Sequence, residues 1–145
     1  MFVTRGSLGP HARPMSVIVR PDESRLWFLT DRETAKACEV ERHQTVGVTF
    51  SNGTNRHVAI TGRAEIVEER AFVRDLWTTS AQAFFPGGPD DESIVAIRVD
   101  PDVGELWDGP STPVAIVKMA AALVTRTPAD GMGDNVKVRM GGEGA

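Results

Sequence analysis

Apolar and polar positions alternate with a period of two through much of the first half of the chain. Gln44–Ser51 carries Val46, Val48 and Phe50 on one face and Thr45, Gly47 and Thr49 on the other, the pattern of a half-buried strand. His57–Val67 repeats it, with Val58, Ile60, Ala64 and Ile66 on one side and His57, Ala59, Thr61, Arg63 and Glu65 on the other. Ser51-Asn52-Gly53-Thr54-Asn55 lies between these strands, and Asn-Gly is the strongest short hairpin signal. Arg13–Arg20 and Arg25–Thr30 are rich in Val, Ile, Leu and aromatic residues. The turn residues Pro21-Asp22-Glu23-Ser24 join them as a second hairpin. Ile94–Val99 and Asn135–Met140 add later strands. Consecutive antiparallel strands joined by short turns close into a barrel or pack as a sandwich.

Three segments change period. Asp31–Arg42 opens on Thr30-x-x-Glu33, a capping-box pattern, and predicts a helix interrupting the strand series. Glu69–Phe84 places Phe72, Val73, Leu76, Trp77, Ser80, Ala83 and Phe84 at three- and four-residue spacing, one broad helical face. Pro113–Thr125 has Val114, Val117, Ala121 and Val124 in a similar register, although its β-branched residues leave strand open. Phe85–Asp91 reads as a loop. No internal repeat or linker divides the chain, so residues 1–140 are expected to form one domain, with 141–145 a flexible Gly-rich tail.

Composition narrows the class. The 145 residues suit a single core, and 41% hydrophobic against 25% charged residues is enough to bury one. Sixteen Lys+Arg against 20 Asp+Glu give a net charge of −4 without a basic block, which argues against a nucleic-acid or anionic-membrane partner held by bulk charge. The single Cys38 forms no internal disulfide, and no Cys/His cluster suggests a metal. The N-terminal stretch lacks the apolar core of a signal peptide, and no run is long enough to span a bilayer. The expectation is a soluble, cytoplasmic protein.

The first turn of the inserted helix carries the most informative chemistry. Arg32 and Lys36 lie at i, i+4 near its positive end, where like charges oppose each other and the macrodipole by about a few tenths of a kcal/mol. Either Glu33 offsets Lys36 and the face is solvated, or an anion sits there, met by free amides, the Thr34 hydroxyl and Lys36. Arg13 opens an apolar strand. It either marks the sheet edge or supplies a second cation to the same anion. A lone strand histidine such as His57 is more often a surface residue than a catalyst, and Cys38 reads as small core filling. Trp27 reads as core, whereas Trp107, before the Asp108-Gly109-Pro110 turn, suits a pocket or an interface. No nucleophile elbow, HExxH, P-loop or dinucleotide fingerprint is present.

In order and spacing, several segments together resemble the FMN-binding split β-barrel family related to pyridoxamine 5′-phosphate oxidase, in its general stress protein 26-like branch. They are Gly9-Pro10-His11-Ala12-Arg13-Pro14-Met15, Leu26–Asp31 leading to Thr34-Ala35-Lys36, Val58–Glu65, Phe85–Asp91 and Glu105-Leu106-Trp107-Asp108. The resemblance implies a mainly β fold: a six-stranded antiparallel split barrel with a helix inserted between strands 3 and 4. It further implies a homodimer with two FMN sites in clefts between subunits. Arg13 and Lys36, assisted by Thr34, would hold the FMN phosphate. Pro14, Met15, Ser16, Leu29 and Thr30 would line the ring and ribityl. His57 matches a position where relatives place Gln near the flavin edge, and Trp107 matches a Trp supplied by the other subunit. The Arg-x-His motif of the pyridoxamine-phosphate oxidases is missing, because Trp107 is followed by Asp-Gly-Pro. Oxidation of pyridoxamine phosphate is therefore not expected. The expected function is an FMN-dependent oxidoreductase acting on a small substrate; the alternatives are a non-catalytic, stress-related flavin-binding dimer, or a barrel holding deazaflavin or haem.

Overall fold

The computed structural model describes residues 1–109 and 134–140. In chain order these form β1 (Phe2–Gly6), β2 (Gly9–Arg13), β3 (Ile18–Val19), β4 (Leu26–Asp31), α1 (Ala35–Arg42), β5 (Thr45–Ser51), β6 (Arg56–Val67), α2 (Arg70–Asp75), α3 (Thr79–Phe84), β7 (Ile94–Asp108) and β8 (Asp134–Arg139). Every strand pairing is antiparallel, in the order β2-β1-β5-β6-β7-β4-β3, with β8 also on β7.

Strand β7 explains why the barrel is split. It pairs with β6 along almost its whole length, with β4 through Ile94–Val99 and with β8 through Val103–Asp108. The register shifts between Thr61 and Gly62, where a Cβ on Gly62 would lie 2.4 Å from the Asp100 carbonyl oxygen. Only glycine tolerates so close an approach of two backbones.

Three strands separate β1 from β4 in the sheet, yet the rings of Phe2 and Phe28 lie 5.0 Å apart. The sheet therefore curls onto itself, and Phe2, Phe28, Val46, Val48, Ala64, Ile97 and Val99 share one core with Val40 of α1. β4 and the first half of β7 are buried on both faces. Their opposite sides, Trp27, Leu29, Ile94 and Ala96, pack a second cluster with Val73, Leu76 and Ala81 from α2 and α3. Continuous apolar runs replace alternation there because neither face meets water.

The split β-barrel expectation stands, with eight strands instead of six among the described residues. The extra strands come from the N-terminal hairpin β1–β2, whose inward face is Phe2 and Thr4; one of the two is polar, so hydrophobic alternation did not signal it. The strand expected over Arg13–Arg20 is instead the end of β2, an unpaired stretch and the two-residue β3. Pro14 lacks the N–H that would continue the ladder. The inserted helix accordingly follows β4, not strand 3.

Helix α1 begins at Ala35 with Thr34 as N-cap, and the capping box does not form. Thr30 is buried in β4, while Asp31 organises the turn: its Oδ1 accepts from the Glu33 amide at 2.7 Å and its carbonyl from the Thr34 hydroxyl at 2.7 Å. The long helix expected over Glu69–Phe84 is broken into α2 and α3. The Thr78 side chain accepts from the Ala81 amide and restarts the helix as a new N-cap. Cys38 is exposed, not core filling, since α1 buries Ala37 and Val40 instead. Trp27 is core, and its indole N–H donates to Glu23 at 2.8 Å. The helix or strand expected over Pro113–Thr125 and the tail 141–145 lie outside the described residues. Among the described residues no helix is long and apolar enough to cross a membrane.

Candidate functional site

Arg13 is the last residue of β2, and Pro14 releases the chain from the sheet there. Its side chain is mostly buried, with 15% of its surface exposed. One nitrogen, Nη2, donates to Glu39 Oε2 at 2.6 Å, to the Thr4 hydroxyl at 2.9 Å and to the His11 carbonyl at 3.3 Å. The other two, Nε and Nη1, are buried and have no partner. A buried guanidinium with two idle donors is costly unless an acceptor reaches them.

Lys36 occupies the second position of α1. Among the described residues no carboxylate lies within ion-pair distance of it. Burial lowers its pKa from the ordinary lysine value, and the charge of Arg13 lowers it further, against a smaller opposite pull from Asp31. Thus the two cations are close enough to repel. The first turn of α1 carries no acidic residue and no side-chain cap, and the nearest negative charge to Lys36 is that of Asp31 in the preceding turn. Idle guanidinium donors, an ammonium and a helix start without a side-chain cap are the kinds of group that complement an anion.

Arg32 does not belong to this corner. Its guanidinium is bonded to Glu68 and, at 3.1 Å, to Glu41, so the repulsion expected between Arg32 and Lys36 is exerted by Arg13 instead. Thr34 is also less available than expected, because its hydroxyl proton is committed to the Asp31 carbonyl. Its oxygen lies 3.2 Å from that of Thr30, which is buried.

Lys36, but not Arg13, Thr30 or Thr34, borders a cavity of about 750 Å³ that follows the unpaired stretch after Pro14. Pro14, Met15, Ser16, Leu29 and Lys36 line it together, opposite Ala81 and Phe84 of α3. Its volume is that of a pocket for a mid-sized organic molecule. His57 and Trp107 are not part of it. They face each other across β6 and β7 and line a separate pocket of about 320 Å³ beside Phe50 and Met1. The indole of Trp107 is 36% exposed. Within one chain, Pro14, Met15, Ser16, Leu29 and Lys36 therefore line one pocket, His57 and Trp107 another, and Arg13, Thr30 and Thr34 line neither.

Sequence reasoning missed Glu39, Thr4 and His11, the groups that hold Arg13. Burial pushes the Glu39 carboxyl up, but hydrogen bonds from Thr4 and His11 and the charge of Arg13 outweigh it and leave the pKa below the ordinary value. No local spacing links these residues. Thr4 and His11 lie 35 and 28 positions from Glu39, and only the β1–β2 hairpin brings them to α1. The α3 wall was likewise hidden inside what read as one long helix.

The comparisons with known proteins agree with one another. A family model described as pyridoxamine 5′-phosphate oxidase like matches residues 1–130. General stress protein 26 of Bacillus subtilis (strain 168) is 27% identical over 112 residues, which cover 74% of this chain and 78% of that protein. Among solved structures, the general stress FMN/FAD binding protein from Xanthomonas citri superposes with a TM-score of 0.68 at 27% identity, over 77% of this chain and 80% of that one. A protein related to general stress protein 26 from Clostridium acetobutylicum gives a TM-score of 0.71 over 97% and 84%, at 18% identity, and bears on the fold alone.

Proposed function

The chain belongs to the pyridoxamine 5′-phosphate oxidase-like family, and from that premise we propose that it is a cytoplasmic flavoprotein that binds FMN non-covalently and serves as an oxidoreductase for a small substrate. The observation that carries this reading is the pair of idle, buried nitrogens on Arg13 beside Lys36. A phosphate monoester is the natural complement: compact, doubly charged and rich in acceptors. The likeness to a protein known as FMN/FAD binding supports a flavin as the body of the ligand.

In this reading Arg13, Lys36 and the first amides of α1 take the phosphate. Thr34, whose hydroxyl donates to the Asp31 carbonyl, would have to turn that hydroxyl away to donate to the phosphate. Pro14, Met15, Ser16 and Leu29 shape the walls for the ribityl and ring, with Thr30 buried outside the cavity lining. FMN, when bound, supplies the two-electron chemistry, and the protein supplies binding, orientation and exclusion of water. His57 and Trp107 would come from a second copy and close the ring's exposed side. That makes the protein a homodimer with two sites at its interface. Pyridoxamine phosphate is not its substrate, since no Arg-x-His follows Trp107.

One observation favours a second reading, a flavin carrier without turnover. Among the described residues no Asp, Glu or His lines the larger cavity, so no side chain there is an evident general acid or base. Flavin-dependent oxidation of NAD(P)H in steady state separates an enzyme from a carrier.

The test of the main reading is the absorption spectrum of the purified protein, followed by titration with FMN. A flavin spectrum, or saturable uptake of one FMN per chain, is expected. A haem or deazaflavin spectrum, or no uptake, contradicts it.

A further inference from the structure

Arg13, Glu39 and Thr4 come from three different elements, β2, α1 and β1, and meet in one closed arrangement. Glu39 Oε2 accepts from Arg13 Nη2 at 2.6 Å and from the Thr4 hydroxyl at 2.5 Å, and the Thr4 oxygen in turn accepts from the same Nη2 at 2.9 Å. The second carboxylate oxygen faces His11 Nδ1 at 3.1 Å. All the bonding falls on a single nitrogen of the guanidinium.

We propose that Glu39, acting with Thr4, is a positioning residue: it anchors Arg13 by Nη2 alone and so aims Nε and Nη1 at the phosphate of the flavin. This rests on the FMN reading above. A guanidinium is planar, so engaging both hydrogens of one nitrogen fixes the directions of the other two. An acidic residue that merely competed with the ligand would be expected to take a two-pronged grip on the guanidinium. Here the contact is one-pronged and the remaining donors are left idle in the interior. Glu39 also keeps a mostly buried arginine from being an uncompensated charge in the ligand-free protein.

The geometry makes the conservative variant informative. In Glu39→Gln the amide oxygen can accept from Arg13 and Thr4, while the amide nitrogen donates to a neutral His11 Nδ1. The network survives without the negative charge. In Glu39→Ala it is lost, and in Thr4→Val half of it is lost.

The experiment is a titration of each full-length variant with FMN and with riboflavin, which lacks the phosphate, together with melting temperatures. Glu39→Ala weakens FMN by about tenfold or more and leaves riboflavin within about twofold, because only donors aimed at phosphate are disturbed. Glu39→Gln restores FMN to within about threefold of the parent protein, and Thr4→Val falls between. Tighter FMN binding in both Glu39 variants overturns the proposal in favour of a competitor. A lowered melting temperature with unchanged FMN affinity makes Glu39 purely structural and also overturns it, as does a Gln variant no better than Ala. If the parent protein binds FMN no better than riboflavin, the phosphate reading fails instead. The aim of Arg13 is then still read from its Nε–H NMR signal, expected to be sharp in the parent and Gln proteins and broadened in Ala; a signal unchanged in Ala overturns the proposal.

Discussion

The two pockets are incomplete in opposite ways. At the Arg13–Lys36 corner the fold leaves charge unanswered: two cations repel, and two guanidinium nitrogens are buried without acceptors. At the His57–Trp107 pocket it leaves Trp107 partly exposed beside Met1 and Phe50, while Leu106 of β7 and Val136 and Val138 of β8 are exposed outside that pocket. An anion would meet the first deficit and an apolar partner surface the second. Strand β7 runs between the two situations, its first half buried on both faces and its second half open. The lesson is that, among the described residues, the barrel is closed around its core and open at its rim, where ligand and partner are proposed to bind.

The largest effect should come from breaking what both pockets share. Phe28→Ala removes the ring that meets Phe2 across the closed barrel, and should cost about 3–5 kcal/mol of unfolding free energy. Denaturant melts would show it, and FMN binding and self-association should fail together in the melted fraction. If Phe28→Ala left stability unchanged, the barrel closure described here would be wrong.

Arg13→Ala separates the corner from the rim. It should weaken FMN by about 1–3 kcal/mol through lost charge-assisted hydrogen bonds and leave the oligomeric state alone. Isothermal titration and light scattering on the same sample measure both. A change of mass with unchanged affinity would reverse the assignment of the two pockets.

A pH series sharpens the electrostatic side. The pKa of Lys36 is lowered in the free protein by burial and by Arg13, and a bound phosphate raises it again. Its contribution is therefore full below the free-protein pKa and is lost as pH climbs through the bound-state pKa, while Arg13 stays charged throughout. FMN affinity should fall in the alkaline range, starting earlier than an ordinary lysine would give. Lys36→Met should flatten that limb, and an equally steep fall in the Met variant would remove Lys36 from the site.

The smallest effect on the single chain is predicted at the rim. Trp107→Ser should alter the intrinsic stability of one barrel by about 0.5 kcal/mol or less, as for other exposed positions, yet shift the mass from dimer towards monomer. A variant that remains dimeric would show that this pocket is not the partner's seat.

How much of this was legible beforehand depends on which physics each element obeys. β5 and β6 were plain because one face is wet and one dry, so alternation survives, and Asn52 and Gly53 (φ +80°) form the turn as expected. β1 was obscure because its second inward residue is Thr4, and the helix over 69–84 was overextended because a Thr-Thr-Ser run can continue a helix or restart one. Helix-end electrostatics singles out Lys36 in the sequence, while the role of Arg13 is suggested by the family resemblance. Glu39 could not: its partners are far away in sequence, and on a helical wheel it looks like any solvated acid.

The central claim is that the corner formed by Arg13 and Lys36 recognises the phosphate of a flavin nucleotide. The most direct measurement is a side-by-side calorimetric titration of the parent protein with FMN and riboflavin at neutral pH. FMN should bind at least about tenfold more tightly, the two ligands differing only in the group the corner is built to hold. Equal affinities would contradict it.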